Sequence, residues 1–107
     1  MNPKIRVEEA AAAELEASVV WYEENRAGLG ERFLNAVDLT LGQIAQWPRS
    51  GAPVPDVASD LNVRRVPVGR FPFHVVYLEM TDEIRVLAFA HDRRLPGYWR
   101  GRSTQSD

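Results

Sequence analysis

The chain reads as an α+β domain in which a small antiparallel β-sheet packs against an N-terminal α-helical hairpin, in the order β-α-α-β-β-β. Three observations predict this. Ala11, Leu15, Val19 and Tyr22 recur at helical spacing between Ala10 and about Asn25, and Phe33, Leu34, Val37, Leu41 and Ile44 do the same between Glu31 and Trp47. Only Ala27-Gly28-Leu29-Gly30 separates the two patterns, so the helices must lie side by side and antiparallel. From Asn62 to His91 the apolar residues instead fall in strand-length runs bounded by turn residues.

Each element has its own warrant. Lys4 to Val7 is a short alternating run suited to an edge strand. The first helix gains from its alanines, and Pro48 ends the second because its ring cannot continue a helix. Arg49 to Asp60, rich in Pro, Ser, Asp and Gly, reads as a surface loop. Strands follow at Asn62–Val68, Phe73–Glu79 and Glu83–His91, with turns at Gly69-Arg70 and Met80-Thr81-Asp82. Residues 1–102 form one domain, and Ser103 to Asp107 a disordered tail.

Strand parity carries the reading further. With a hairpin closing at Thr81-Asp82, Leu78 faces Arg85, Val76 faces Leu87 and His74 faces Phe89, which places His74, Arg85 and His91 on one surface. Phe73, Val75, Tyr77, Ile84, Val86, Ala88 and Ala90 then form the apolar surface under the helices. A turn at Gly69-Arg70 sets Arg65 opposite His74.

Composition limits the function. The 107 residues contain no cysteine, which excludes disulfides, thiol catalysis and thiolate metal sites and points to a reducing, cytoplasmic compartment. Two histidines without helical i, i+4 spacing offer no metal site, and nothing calls for a cofactor. No apolar run matches a signal peptide or a membrane span. Net charge is −2, but its distribution is uneven. Four basic residues stand against eight acidic ones up to Pro48, and eight arginines against four acids from Leu61 to Arg102. The dipole can steer binding, although it falls short of the basic face of a dedicated nucleic-acid binder.

Neither strand nor turn requirements explain a strand that ends in His91, Asp92, Arg93 and Arg94 and runs on into Pro96, Gly97, Tyr98, Trp99 and Arg100. Arginine pairs beside large aromatics suit a phosphate-bearing ligand or an acidic protein surface. The structural alternatives are an imidazole bonded to a carbonyl or to Asp92, arginines paired with helix glutamates, and aromatics that cap the core. Trp21, Tyr22 and Trp47 read as packing groups, and the first helix's glutamates as a solvated face.

The order of these pieces, WYEE and ERF around a glycine break, then VRRVPVGRFPFHVVY and VLAFAHDRRLPGYW, resembles the RelE/ParE superfamily of toxins from bacterial type II toxin-antitoxin systems, also called plasmid stabilisation proteins. The resemblance runs from Ile5 to Arg102. It implies growth inhibition through DNA gyrase, in the manner of ParE, with neutralisation by a cognate antitoxin. The alternative it implies is a metal-independent, ribosome-dependent mRNA endoribonuclease of the RelE kind, an mRNA interferase, with Arg65, His74, His91, Arg93 and Tyr98 as the catalytic set. A third alternative is an inactive binding or regulatory protein of the same fold. Gyrase contact would fall on Arg93, Arg94, Tyr98, Trp99 and Arg100, and antitoxin contact on Val20 and Leu29. The absence of a lysine cluster, the His at position 74 where arginine is common, and the acidic net charge place the chain closer to the gyrase branch.

Overall fold

The computed structural model describes residues 3–54 and 62–104. Strand β1 (Lys4–Val7) leads into helix α1 (Glu9–Asn25), and a break at 26–28 leads into α2 (Leu29–Gln46). Then follow β2 (Ala52–Pro53), β3 (Val63–Pro67), β4 (Phe73–Glu79), β5 (Glu83–His91) and a 3₁₀ segment (Arg100–Thr104). The sheet order is β1-β5-β4-β3-β2.

Several expectations need correction. The sheet is mixed: β1 lies parallel to β5, because the helical hairpin between them returns the chain to the same end of the sheet, while the other pairs are antiparallel. The expected loop 49–60 contributes the short β2, paired to Arg64 and Arg65 of β3, and its residues 55–60 lie outside those described. Helix α2 starts at Leu29, two residues early, because the Glu23 carboxylate accepts the Gly28 and Gly30 N–H groups (2.9 and 3.0 Å) and so caps the new helix from the end of the old one. Glu23 is therefore not merely a solvated charge. The 3₁₀ segment runs from Arg100 to Thr104.

The helices cover one face of the sheet. Tyr22, Phe33, Val37 and Ile44 pack on Val66, Phe73, Val75, Tyr77, Ile84, Val86 and Phe89. The Tyr22, Phe33, Phe71 and Phe73 rings meet at centroid distances of 4.9–6.1 Å in edge-on and tilted arrangements. Tyr77 anchors the segment after α2: its hydroxyl donates to the Pro48 carbonyl (2.6 Å) and accepts the Gly51 N–H (3.1 Å).

The other face has its own small core of Val63, Val76, Leu78, Leu87, Ala88, Ala90 and Trp99. This corrects the parity reading. Leu78 does face Arg85, but the register then steps from Tyr77↔Val86 to Val76↔Ala88, a β-bulge with Leu87 as the extra residue. Beyond it His74 faces Ala90, not Phe89. Ala88 and Ala90 turn to the open face, where Trp99 fills the space above them, and Phe89 turns to the helices. His91 lies opposite Phe73, its ring 5.0 Å from the phenyl centroid, and leaves the His74 face. Arg65 faces Val76 in place of His74, because the 68–72 turn places His74 opposite Pro67. Arg85 is buried, with its Nε 3.3 Å from Glu8 Oε1.

The helix interface generates a pair of opposite outcomes within α2. A Cβ on Gly30 would meet the Val19 carbonyl oxygen at 2.7 Å, whereas one on Gly42 meets nothing within 4 Å. Gly30→Ala should lower unfolding stability by about 1–3 kcal/mol through overpacking. Gly42→Ala should raise it by about 0.5–1 kcal/mol through helix propensity. Urea unfolding of the two variants checks both signs, and a neutral Gly30→Ala would contradict the close helix approach.

Candidate functional site

The site is built where the β4-β5 hairpin ends and the chain crosses the open face. Tight turns fold this segment onto the sheet. Asp92 N–H donates to the Pro72 carbonyl (2.8 Å), Arg94 N–H to the His91 carbonyl (2.9 Å), Arg100 N–H to the Gly97 carbonyl (3.0 Å) and Arg102 N–H to the Trp99 carbonyl (2.9 Å). Gly97 has φ +81, and a Cβ there would meet the Arg100 guanidinium at 2.8 Å. Glycine thus permits both the turn and the lie of that arginine.

Between this segment and β3-β4 runs a groove of about 280 Å³. Val76, Ala90 and Trp99 supply its apolar lining, Arg65 and His74 come from the strands, and Arg94 and Arg100 come from the crossing segment. His74 Nδ1 lies 2.9 Å from Asp92 Oδ1, a pair that ties the start of β4 to the residue after β5. If Nδ1 carries the proton, the carboxylate fixes the ring and leaves Nε2 as its basic nitrogen. Arg94 lies over the Tyr98 ring, 3.9 Å from its centroid. The set can hold an anion between guanidinium groups.

The residues anticipated from sequence are divided among different surroundings. Arg65, His74, Arg94, Tyr98, Trp99 and Arg100 border the groove. His91 reaches the groove edge but also lines an apolar cleft with Trp21, Tyr22 and Phe73, and its Nδ1 accepts the Arg93 N–H at 3.0 Å. Arg93 is exposed and does not line the groove. Trp99 is only 3% exposed and serves the second core. Away from the groove, Val20 is 55% exposed beside Val7, Leu15, Val19 and Leu34, while Leu29 is half-buried against the main core.

Sequence reasoning missed two participants. Glu14 accepts hydrogen bonds from the Tyr98 hydroxyl (2.7 Å), Arg102 Nη1 (3.0 Å) and the Phe89 N–H (3.2 Å). Arg102 Nη1 also donates to the Leu87 carbonyl at 3.0 Å. Glu14 stands three residues after Ala11 and four before Ser18, but in the sequence it falls among the glutamates off the apolar stripe. Asp92 was weighed as a partner of His91, and it pairs with His74 instead.

No protein-family model and no curated protein matches the chain. Among solved structures, a chain of the chromosomal ParDE TA system from P. aeruginosa is similar, with TM-score 0.70 and 21% identity over 83% of this chain and 95% of that one. The likeness establishes a RelE/ParE-like α+β fold. No helix among the described residues is long and apolar enough to cross a membrane.

All three tyrosines sit where the phenolate is disfavoured. Burial raises the Tyr22 phenol and, against the opposing Gly51 hydrogen bond, that of Tyr77. Tyr98 is pushed up most, by burial first and then by its hydrogen bond to Glu14 and that group's charge, against the opposing pull of Arg94 and Arg102. A folded-state value above the unfolded one contributes stability that is complete below the ordinary phenol value of about 10 and is lost as pH climbs through the folded value. Native protein should therefore show no phenolate absorbance rise centred near pH ~10, and stability should fall as pH is taken higher. Ordinary tyrosine titration in a chain still folded by circular dichroism would contradict this.

Proposed function

We propose that this protein is a ParE-like toxin of a type II toxin-antitoxin system, which inhibits growth by contact with DNA gyrase and is neutralised by a cognate antitoxin. The observation that carries this reading is the division of the polar residues. An endoribonuclease needs its base, acid and cations to converge on one phosphate. Here Arg65 and His74 border the groove, His91 turns toward the helices, Arg93 lies outside, and the Tyr98 hydroxyl is committed to Glu14. Arg93, Arg94 and the 76%-exposed Leu95 instead stand on the surface, as a protein-contact patch requires. The fold likeness to a chain of a ParDE system supports the same branch. Antitoxin contact fits the apolar strip of Val20, Val19, Leu15 and Leu34, a surface that an extended or helical tail can cover, with the half-buried Leu29 at the start of α2 as a second candidate.

A second reading has one specific observation behind it. The His74–Asp92 pair holds an oriented imidazole beside Arg65 in the groove, an arrangement that can draw a proton from a ribose hydroxyl. The two readings part on mutation. Arg93→Glu with Arg94→Glu should weaken inhibition of gyrase supercoiling by roughly 30-fold or more, the scale of one contact hot spot, while His74→Ala leaves it unchanged. Induced expression, with and without the antitoxin, should give growth arrest with DNA-damage signalling. An abrupt halt in protein synthesis, abolished by His74→Ala, would instead establish RNA cleavage, and no arrest at all would leave an inactive binding protein of this fold.

A further inference from the structure

Strand β1 accompanies β5 only as far as Val7↔Val86, where the Glu8 N–H takes the Val86 carbonyl and the chain turns into α1. Past that point the edge of β5 carries the Leu87 carbonyl and the Phe89 N–H, which no strand among the described residues pairs. Side chains substitute for it. Glu14 Oε1 receives the Phe89 N–H (3.2 Å) and Arg102 Nη1 (3.0 Å), its Oε2 receives the Tyr98 hydroxyl (2.7 Å) and Arg102 Nη2 (3.3 Å), and Arg102 completes the bridge at Leu87. The Glu14 and Arg102 side chains are 16% and 18% exposed, so solvent screens the bridge only in part.

We infer that Glu14 is a positioning residue for the C-terminal contact segment, acting through Tyr98 and Arg102. The inference rests on the reading of that segment as the gyrase-contact surface. A single neutral acceptor could satisfy the Phe89 N–H. Only a group with two acceptor oxygens binds the strand edge and the C-terminal segment together. Tyr98, once fixed, provides the ring on which Arg94 lies, and Trp99 beside it enters the second core. Glu14 thus reaches Arg94 without touching it, from a helix on the far side of β5.

Glu14→Gln keeps the shape and removes the charge and one acceptor, and Arg102→Gln breaks the same bridge without altering α1. In the full chain, amide exchange of Phe89 and of Tyr98 to Arg102 should speed up by about tenfold or more in either variant, the size of one charge-assisted hydrogen bond, while Val66 and Val75 stay protected. Inhibition of gyrase should weaken by a similar factor, and antitoxin binding should not change. The double variant should lose less than the sum of the two single losses, because both residues share the Glu14–Arg102 contact. Wild-type exchange at these amides in Glu14→Gln, or fully additive losses in the double variant, would overturn the inference. A wild-type chain that does not inhibit gyrase would refute the proposed target, and the exchange measurements would still decide whether Glu14 positions the segment.

Discussion

The structure depends on what happens where β1 stops. A parallel strand can stay beside β5 only until the chain turns up into α1, and here that happens at Glu8. A bulge at Leu87 coincides with this end, so the β5 ladder is interrupted on one side just as it loses its neighbour on the other. Unpaired N–H and C=O groups on half-buried backbone cost about as much as lost hydrogen bonds. Glu14 and Arg102 meet that cost with side chains, and the geometry of the C-terminal segment follows from it.

The bulge has a second consequence, the separation of the histidines. Without it, His74 and His91 would share the open face with Arg85. With it, Phe89 enters the main core, Ala88 and Ala90 open a shallow floor for Trp99, and His91 joins Phe73. One inserted residue thus moves His91 to the groove edge and leaves His74 as the imidazole on the strand side of the groove. That remaining imidazole is held by Asp92, a residue set by the same hairpin end.

Much of the fold was legible because periodicity carries it. Ala11, Leu15, Val19 and Tyr22, then Phe33, Val37 and Ile44, mark faces that only a helical hairpin can bury together, and the strand ends at Glu79, Glu83 and His91 matched their turn residues. The register past Val86 was not legible. Val86-Leu87-Ala88-Phe89-Ala90 is apolar throughout and covered on both faces, so no alternation records which residue points where, and a one-residue step leaves no trace in the pattern. Glu14 was hidden for a related reason. A carboxylate next to an apolar stripe normally faces solvent, and its partners at Phe89, Tyr98 and Arg102 are more than seventy residues away, as the separations of 75, 84 and 88 positions show. Parallel pairing of β1 was likewise undetermined by any local signal, since it follows from the path of the helical hairpin.

Charge asymmetry takes on a structural meaning in this arrangement. The acidic N-terminal half and the arginine-rich C-terminal half are not simply opposite poles of a dipole: Glu8 at the start of α1 reaches Arg85 and Glu14 within α1 reaches Arg102, both largely out of solvent. These pairs consume arginines that a count would assign to a binding surface. Arg85 and Arg102 are held in this way, while Arg65 and Arg94 border the groove. The same acidic residues that lower the net charge are therefore the ones that shape this surface, because Glu14 determines where Tyr98, and the arginine lying on it, can stand.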